Sequence, residues 1–190
     1  MHTIEQLYPN WRELAIHESS PGGACSARLA RECPQYLATH FFPDIERGQT
    51  HRGYRCEDLR SQTFEDESFD LVITSDVLEH LPDVALAARE IMRTLKPGGA
   101  HIFTVPWFHW KKTLVRAVVE DGAVRHLEKP DYHGNPIDDA GSLVFTEWGV
   151  EFPFLLSGWG QAPVVIHSIR DRTLGIDGEF REVFIQQKPR

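Results

Sequence analysis

The run Phe69-Asp70-Leu71-Val72-Ile73-Thr74 ends abruptly in a polar group of Ser75, Asp76, Glu79 and His80. A short, almost wholly apolar run of this length reads as a strand buried on both faces, the condition of a parallel sheet. Parallel neighbours need a crossover, and one follows. Pro82 and Asp83 open a helix whose apolar residues Val84, Ala87, Ala88, Ile91 and Leu95 share one face. Gly98 and Gly99 stop that helix, and residues 101–105 begin the next strand. The chain is thereby held to an α/β architecture built on strand–helix–strand units. In open sheets of this kind ligands bind in the crevice at the carboxyl ends of the strands, where the polar group stands.

The flanking segments fit the same plan. Residues 1–10 allow one short helical turn (Ile4, Leu7, Tyr8) before a break at Pro9 and Asn10. A strand is expected over 13–17, then a tight loop Ser19-Ser20-Pro21-Gly22-Gly23, a helix over 24–33, and strands over 36–40 and 53–56. Beyond Val105 the character changes. Trp107, Phe108, His109 and Trp110 form a dense aromatic group, and 111–120 reads as a helix or an extended excursion. Residues 129–141 form a long polar loop that is either a lid, with Tyr132, His133, Asp138 and Asp139 as its polar groups, or a solvated surface loop. Thr146 is expected to cap a helix that Pro153 kinks or shortens. Strands over 163–167 and 182–186, separated by a turn at Gly175 and Gly178, complete the sheet as an antiparallel pair.

A chain of 190 residues with 41% hydrophobic residues makes one domain, 1–190, with a lid or substrate insertion around 107–145. A formal charge of −8 without a Lys/Arg block argues against nucleic acid as a partner. No apolar run of membrane-spanning length and no leader pattern stand out, so no membrane partner and a cytoplasmic location are expected. Cys25, Cys33 and Cys56 lack metal-ligand spacing and read as small buried hydrophobes; no metal site is expected.

The segment 69–74, followed by Val77-Leu78-Glu79-His80-Leu81 and Leu95-Lys96-Pro97-Gly98-Gly99, is similar to the class I S-adenosylmethionine-dependent methyltransferases. Within them it most resembles the methyltransferase type 11 group, over residues 14–105. The resemblance implies a Rossmann-like, doubly wound, mostly parallel seven-stranded sheet with one antiparallel strand. It also implies transfer of a methyl group from S-adenosylmethionine to a small-molecule acceptor by in-line displacement, leaving S-adenosylhomocysteine. In that family an acid leads a glycine-rich turn after the first strand. Glu18 matches the acid, Ser19 and Ser20 stand where the first glycine is expected, and Gly22 and Gly23 supply the later ones. Such a turn lets backbone approach the cofactor, and the helix start behind it offers N–H groups to the methionine carboxylate.

By the same resemblance, the end of the second strand meets the ribose. His40 and Asp44 stand there, with Phe41 or Phe42 available to the adenine face. Asp58 and Leu59 match the pair that meets the adenine edge, and Ser75, Asp76 and Val77 lie over the sulfonium, although Asp76 could instead cap the turn at 77–81. His109 and His133 are the candidate catalytic bases, and His80 reads as a structural residue holding its loop. The aromatic group at 107–110 suits either a planar substrate or a homodimer interface. Two other functions stay open: a non-catalytic binding or regulatory relative, motivated by Ser19, Ser20 and His40, and a dinucleotide-dependent oxidoreductase, which lacks its G-x-G-x-x-G here.

Overall fold

The computed structural model describes residues 1–135 and 141–190. The chain begins with α1 (His2–Leu7) and a 3-10 turn at Trp11–Glu13. There follow β1 (Ile16–Ser19), α2 (Gly23–Glu32), β2 (Tyr36–His40), β3 (Thr50–His51) and β4 (Tyr54–Cys56). β1 starts later than the sequence suggests, because Trp11 is wholly buried and residues around it coil rather than extend. β5 (Phe69–Ser75) passes through a 3-10 turn at Leu78–His80 into α3 (Val84–Thr94), and β6 (Leu95–Thr104) returns. α3 forms as its sequence dictates. Asp83 caps it, its Oδ1 accepting the Leu86 N–H at 3.0 Å, and Val84, Ala87, Ala88 and Ile91 are buried. The helix ends at Thr94, so Gly98 and Gly99 are not its stop. They form an irregular start to β6, where Phe69 pairs with Leu95 but Leu71 with Ala100. Gly98 has a φ of +80°, and a Cβ on Gly99 would lie 2.8 Å from the Asp70 carbonyl oxygen.

After β6 the chain leaves the sheet as an excursion. It comprises β7 (Trp107–Phe108), β8 (Leu114–Val115), β9 (Ala117–Glu120), β10 (Ala123–His126), β11 (Tyr132–His133), β12 (Ser142–Leu143) and β13 (Thr146–Gly149). Of the two conformations open to 111–120, the extended one is adopted. β9 and β10 join through Asp121 and Gly122, both at positive φ, as a two-residue hairpin turn requires. β13 runs parallel to β7 and antiparallel to β8. Thr146 therefore does not cap a helix; it pairs with Val115, and α4 (Phe152–Gly160) starts later with Pro153 in its first turn, where a missing N–H is harmless. Asp138 and Asp139 lie outside the described residues.

β14 (Val164–Ser168) and β15 (Glu182–Gln187) return to the sheet, whose order is β14-β15-β6-β5-β1-β2-β4-β3. β4, β2, β1, β5 and β6 are mutually parallel, and β15 runs antiparallel to both of its neighbours. These with β14 are the seven expected strands; the two-residue edge strand β3, antiparallel to β4, is an eighth. Leu71 and Ile73 pack with Ile4, Trp11 and Leu29 on one face of the sheet. Phe69 and Val72 pack with Ala87 and Ile91 of α3 on the other, and α4 adds Phe152 and Leu156 beside Phe103 and Phe184. No helix among the described residues is long and apolar enough to cross a membrane.

Candidate active site

The carboxyl ends of β1, β2, β4 and β5 open on a cleft of about 1330 Å3, with the excursion as its far wall. Behind β1 it is lined by Ser19, Ser20 and Gly22. Ser20 holds a φ of +56°, the left-handed region that a glycine enters freely and a serine does not. Gly22 is extended, and a Cβ there would meet no atom within 4 Å, so the space above its backbone is open to a ligand. Gly23, at a φ of +74°, opens α2 and is not part of the lining. Glu18 stands behind the loop, buried. Its Oε2 accepts the Tyr36 hydroxyl at 2.6 Å and its Oε1 the Ser26 hydroxyl at 2.8 Å, while Ser26 Oγ accepts the Gly22 N–H at 2.8 Å. Burial raises the Glu18 pKa, against the lowering effect of these bonds. The acid thus buttresses the loop.

His40, Phe41 and Asp44 line the cleft beyond β2. Phe41 is 46% exposed and offers its ring; Phe42 also lines the cleft but is buried, packed on the His40 ring at 5.4 Å. Asp58 and Leu59 line it beyond β4. The Asp58 carboxylate grips the Arg60 guanidinium with both oxygens, at 2.7 and 3.0 Å, and accepts the Arg60 backbone N–H at 2.9 Å. Burial pushes its pKa up, but the Arg60 bonds outweigh burial and hold it below the usual carboxylate range. A purine amine reaching Asp58 would share it with Arg60.

Ser75, Asp76 and Val77 line the cleft beyond β5. Asp76 has a φ of +52° and accepts the Thr104 hydroxyl at 3.0 Å; it does not cap the turn at Leu78–His80, which has no side-chain cap. Its pKa is raised by burial and by the nearby Glu79 carboxylate.

The excursion contributes Val119 and Val124 of the β9–β10 hairpin, together with Gly134, Asn135, Ser142, Leu143 and Phe145. Two bonds fasten it to the turn after β5: Phe145 N–H to the Glu79 carbonyl at 2.8 Å, and His80 Nδ1 to the Leu143 carbonyl at 2.9 Å. Neither candidate base lines the cleft: His133 sits beside this junction on a separate small cavity, its Nδ1 3.8 Å from Glu79 Oε1. His109 does not reach the cleft. It is exposed, its ring tilted against Trp107 at 5.5 Å and edge-on to Trp110 at 4.8 Å. The aromatic group as a whole lies off the cleft: Trp107 Nε1 donates to the Gly149 carbonyl at 2.8 Å and pins β7 to β13, and Trp110 is 64% exposed. Sequence reasoning did not join Glu79 and His80 to His133. The first two are visible as neighbours, but nothing in the intervening residues signals that β11 folds back onto them.

Residues 20–103 match the family described as a methyltransferase domain. Among curated proteins the chain is similar to the 2-methyl-6-phytyl-1,4-hydroquinone methyltransferase of Synechocystis, 30% identical over 35% of this chain and 24% of that protein. The chain spans a quarter or less of the length of the curated relatives it matches. Among solved structures it is similar to an S-adenosylmethionine-dependent methyltransferase of Mesorhizobium loti, with a TM-score of 0.63 at 15% identity over 98% of this chain and 96% of that one. It is also similar to an S-adenosylmethionine-bound amino pentose methyltransferase of Micromonospora echinaspora, with a TM-score of 0.61 at 16% identity over 98% and 87%. At these identities the structural likeness establishes the fold.

Proposed function

The chain carries the fold of the class I S-adenosylmethionine-dependent methyltransferases, and on that premise we propose that it moves the sulfonium methyl of S-adenosylmethionine to a small-molecule acceptor. One observation carries the reading: residues from four separate strand ends, singled out for the donor, line a single cleft. In this assignment Ser19, Ser20 and Gly22 with the start of α2 hold the methionine end. His40, Phe41 and Asp44 meet the ribose and adenine face, Asp58 and Leu59 the adenine edge, and Ser75, Asp76 and Val77 the sulfonium. Glu18 acts indirectly, through Ser26 and the shape of the loop. The excursion supplies the acceptor side and makes the chain one functional unit.

The reaction is a displacement. A lone pair of the acceptor forms the bond to the methyl carbon as the carbon–sulfur bond breaks, sulfur keeps that electron pair as a neutral thioether, and the acceptor's proton leaves. Holding nucleophile, methyl and sulfur in line and excluding water supplies most of the rate.

Calorimetric titration with S-adenosylmethionine and S-adenosylhomocysteine tests the donor site. Micromolar binding is expected, weakened about tenfold, or about 1.4 kcal/mol, by Asp58→Ala. Gly22→Val is the sharper variant. The extended backbone accepts a side chain and its Cβ meets no atom within 4 Å, so the fold should persist while cofactor binding is lost. Folded wild type that binds neither ligand overturns the proposal and favours a non-catalytic binding role.

A further inference from the structure

Glu79 is buried, with 1% of its surface exposed, and neither of its carboxylate oxygens has a hydrogen-bond partner among the described residues. A bare carboxylate in such a place is costly unless its charge is met. Two imidazoles flank it, His80 Nε2 and His133 Nδ1, each 3.8 Å from Oε1 and beyond hydrogen-bond reach. The Leu143 carbonyl can only accept, so His80 Nδ1 carries the proton donated to it. In the neutral ring this turns the Nε2 lone pair toward the carboxylate. Such a face can meet the carboxylate only through a positive charge, either a proton on an imidazole or a metal ion between the three groups.

The ligand atoms of Glu79, His80 and His133 all lie within 4.8 Å of one another. An ion with bonds of about 2.0–2.2 Å keeps its donors about 3–4 Å apart, so small side-chain rotations close the set. A cavity of about 60 Å3, lined by Glu79, His133, Asp131 and Glu147 among others, adjoins it and has room for water on an ion. The carbonyl holding the far nitrogen of His80 is the outer partner that metal-binding histidines ordinarily have. Two imidazoles and one carboxylate suit a borderline transition ion better than Mg2+ or Ca2+.

We propose that Glu79, His80 and His133 form a binding site for a divalent transition-metal ion of the Zn2+ class at the junction of the β5 turn and the excursion. The site leaves coordination positions for water or an oxygen of a bound molecule. Where it meets the methyl-transfer reading, and resting on that reading, an acceptor hydroxyl on the ion gives its proton to solvent more readily. His133 then serves as a ligand in place of the base role expected for it.

Protein treated with chelator and dialysed is titrated with Co2+, followed by its visible absorption, and with Zn2+ by calorimetry. One ion per chain is expected, bound at about 10 μM or tighter, with Zn2+ displacing Co2+. Glu79→Gln and His133→Ala should each weaken binding about 100-fold, and His126→Ala, on the exposed β10, should leave it unchanged. Metal-free Glu79→Gln should melt no lower than metal-free wild type, since it removes an uncompensated buried charge. Absence of stoichiometric binding by folded wild type overturns the proposal, as does binding that survives both ligand substitutions. A metal-free Glu79→Gln that melts well below wild type also counts against it, since that marks a carboxylate paired with an imidazolium. S-adenosylhomocysteine titrated into the same samples reads the donor site separately, so failure of the metal site and failure of the methyltransferase reading are told apart.

Discussion

Ser20, at a φ of +56° one residue beyond β1, does with a serine what the related turns do with a glycine. The left-handed conformation costs an L-residue about 1–2 kcal/mol, of which glycine's extra freedom in the unfolded chain returns part. Ser20→Gly should therefore stabilise the protein by about 1 kcal/mol and raise its melting temperature by about 2–4 °C in a chain of this size. No gain on thermal melting would mean that its hydroxyl offsets the strain. Two other residues set an acid limit. His17 and His101 lie in one row across the sheet on either side of Val72, both wholly buried. Burial lowers each pKa to about 3, and for His101 the nearby His17 adds to the effect. The folded values lie below the ordinary 6.5, so as pH falls the unfolded chain takes up these protons first. Stability is then full above about pH 6.5 and is lost progressively toward pH 3. His17→Gln keeps a group able to bond Thr39 but does not titrate, so its melting temperature should fall less steeply with acid than wild type's. Parallel curves would refute that assignment.

Individual elements differ in how far their residues announced them. β5 and α3 were legible because burial on both faces and an Asp83 cap leave a local signature that the tertiary structure reinforces. β13 was not. Thr146-Glu147-Trp148 carries a helix-start pattern, but Trp148 pairs with Trp107 and Gly149 lies against the 111–113 backbone, contacts made with residues far away in sequence. A Cβ on Gly149 would lie 2.2 Å from the Thr113 backbone nitrogen. Gly149→Ala should accordingly cost about 1–3 kcal/mol and loosen β8 from β13. Limited proteolysis within 111–117 reads this directly, and a cleavage pattern like wild type's would show that the strand pair yields without opening.

Across the whole molecule, the wall of the cleft at the strand ends was readable and the wall supplied by the excursion was not. Ser19 and His40 close β1 and β2, Asp58 and Asp76 follow β4 and β5, and a parallel sheet gathers such ends on one edge. The excursion wall comes instead from short strands of two to four residues, too brief for periodicity to show, and the aromatic group at 107–110 that drew attention does not line the cleft. The excursion leaves after β6, rejoins at α4, and meets the turn beyond β5 through the Phe145–Glu79 and His80–Leu143 bonds. Surface connections of this kind tolerate replacement while the scaffold beneath them stays fixed. Descendants of such a chain can inherit one half of their chemistry unchanged and rewrite the other, provided each new version of 107–149 still offers a backbone N–H to Glu79 and a carbonyl to His80.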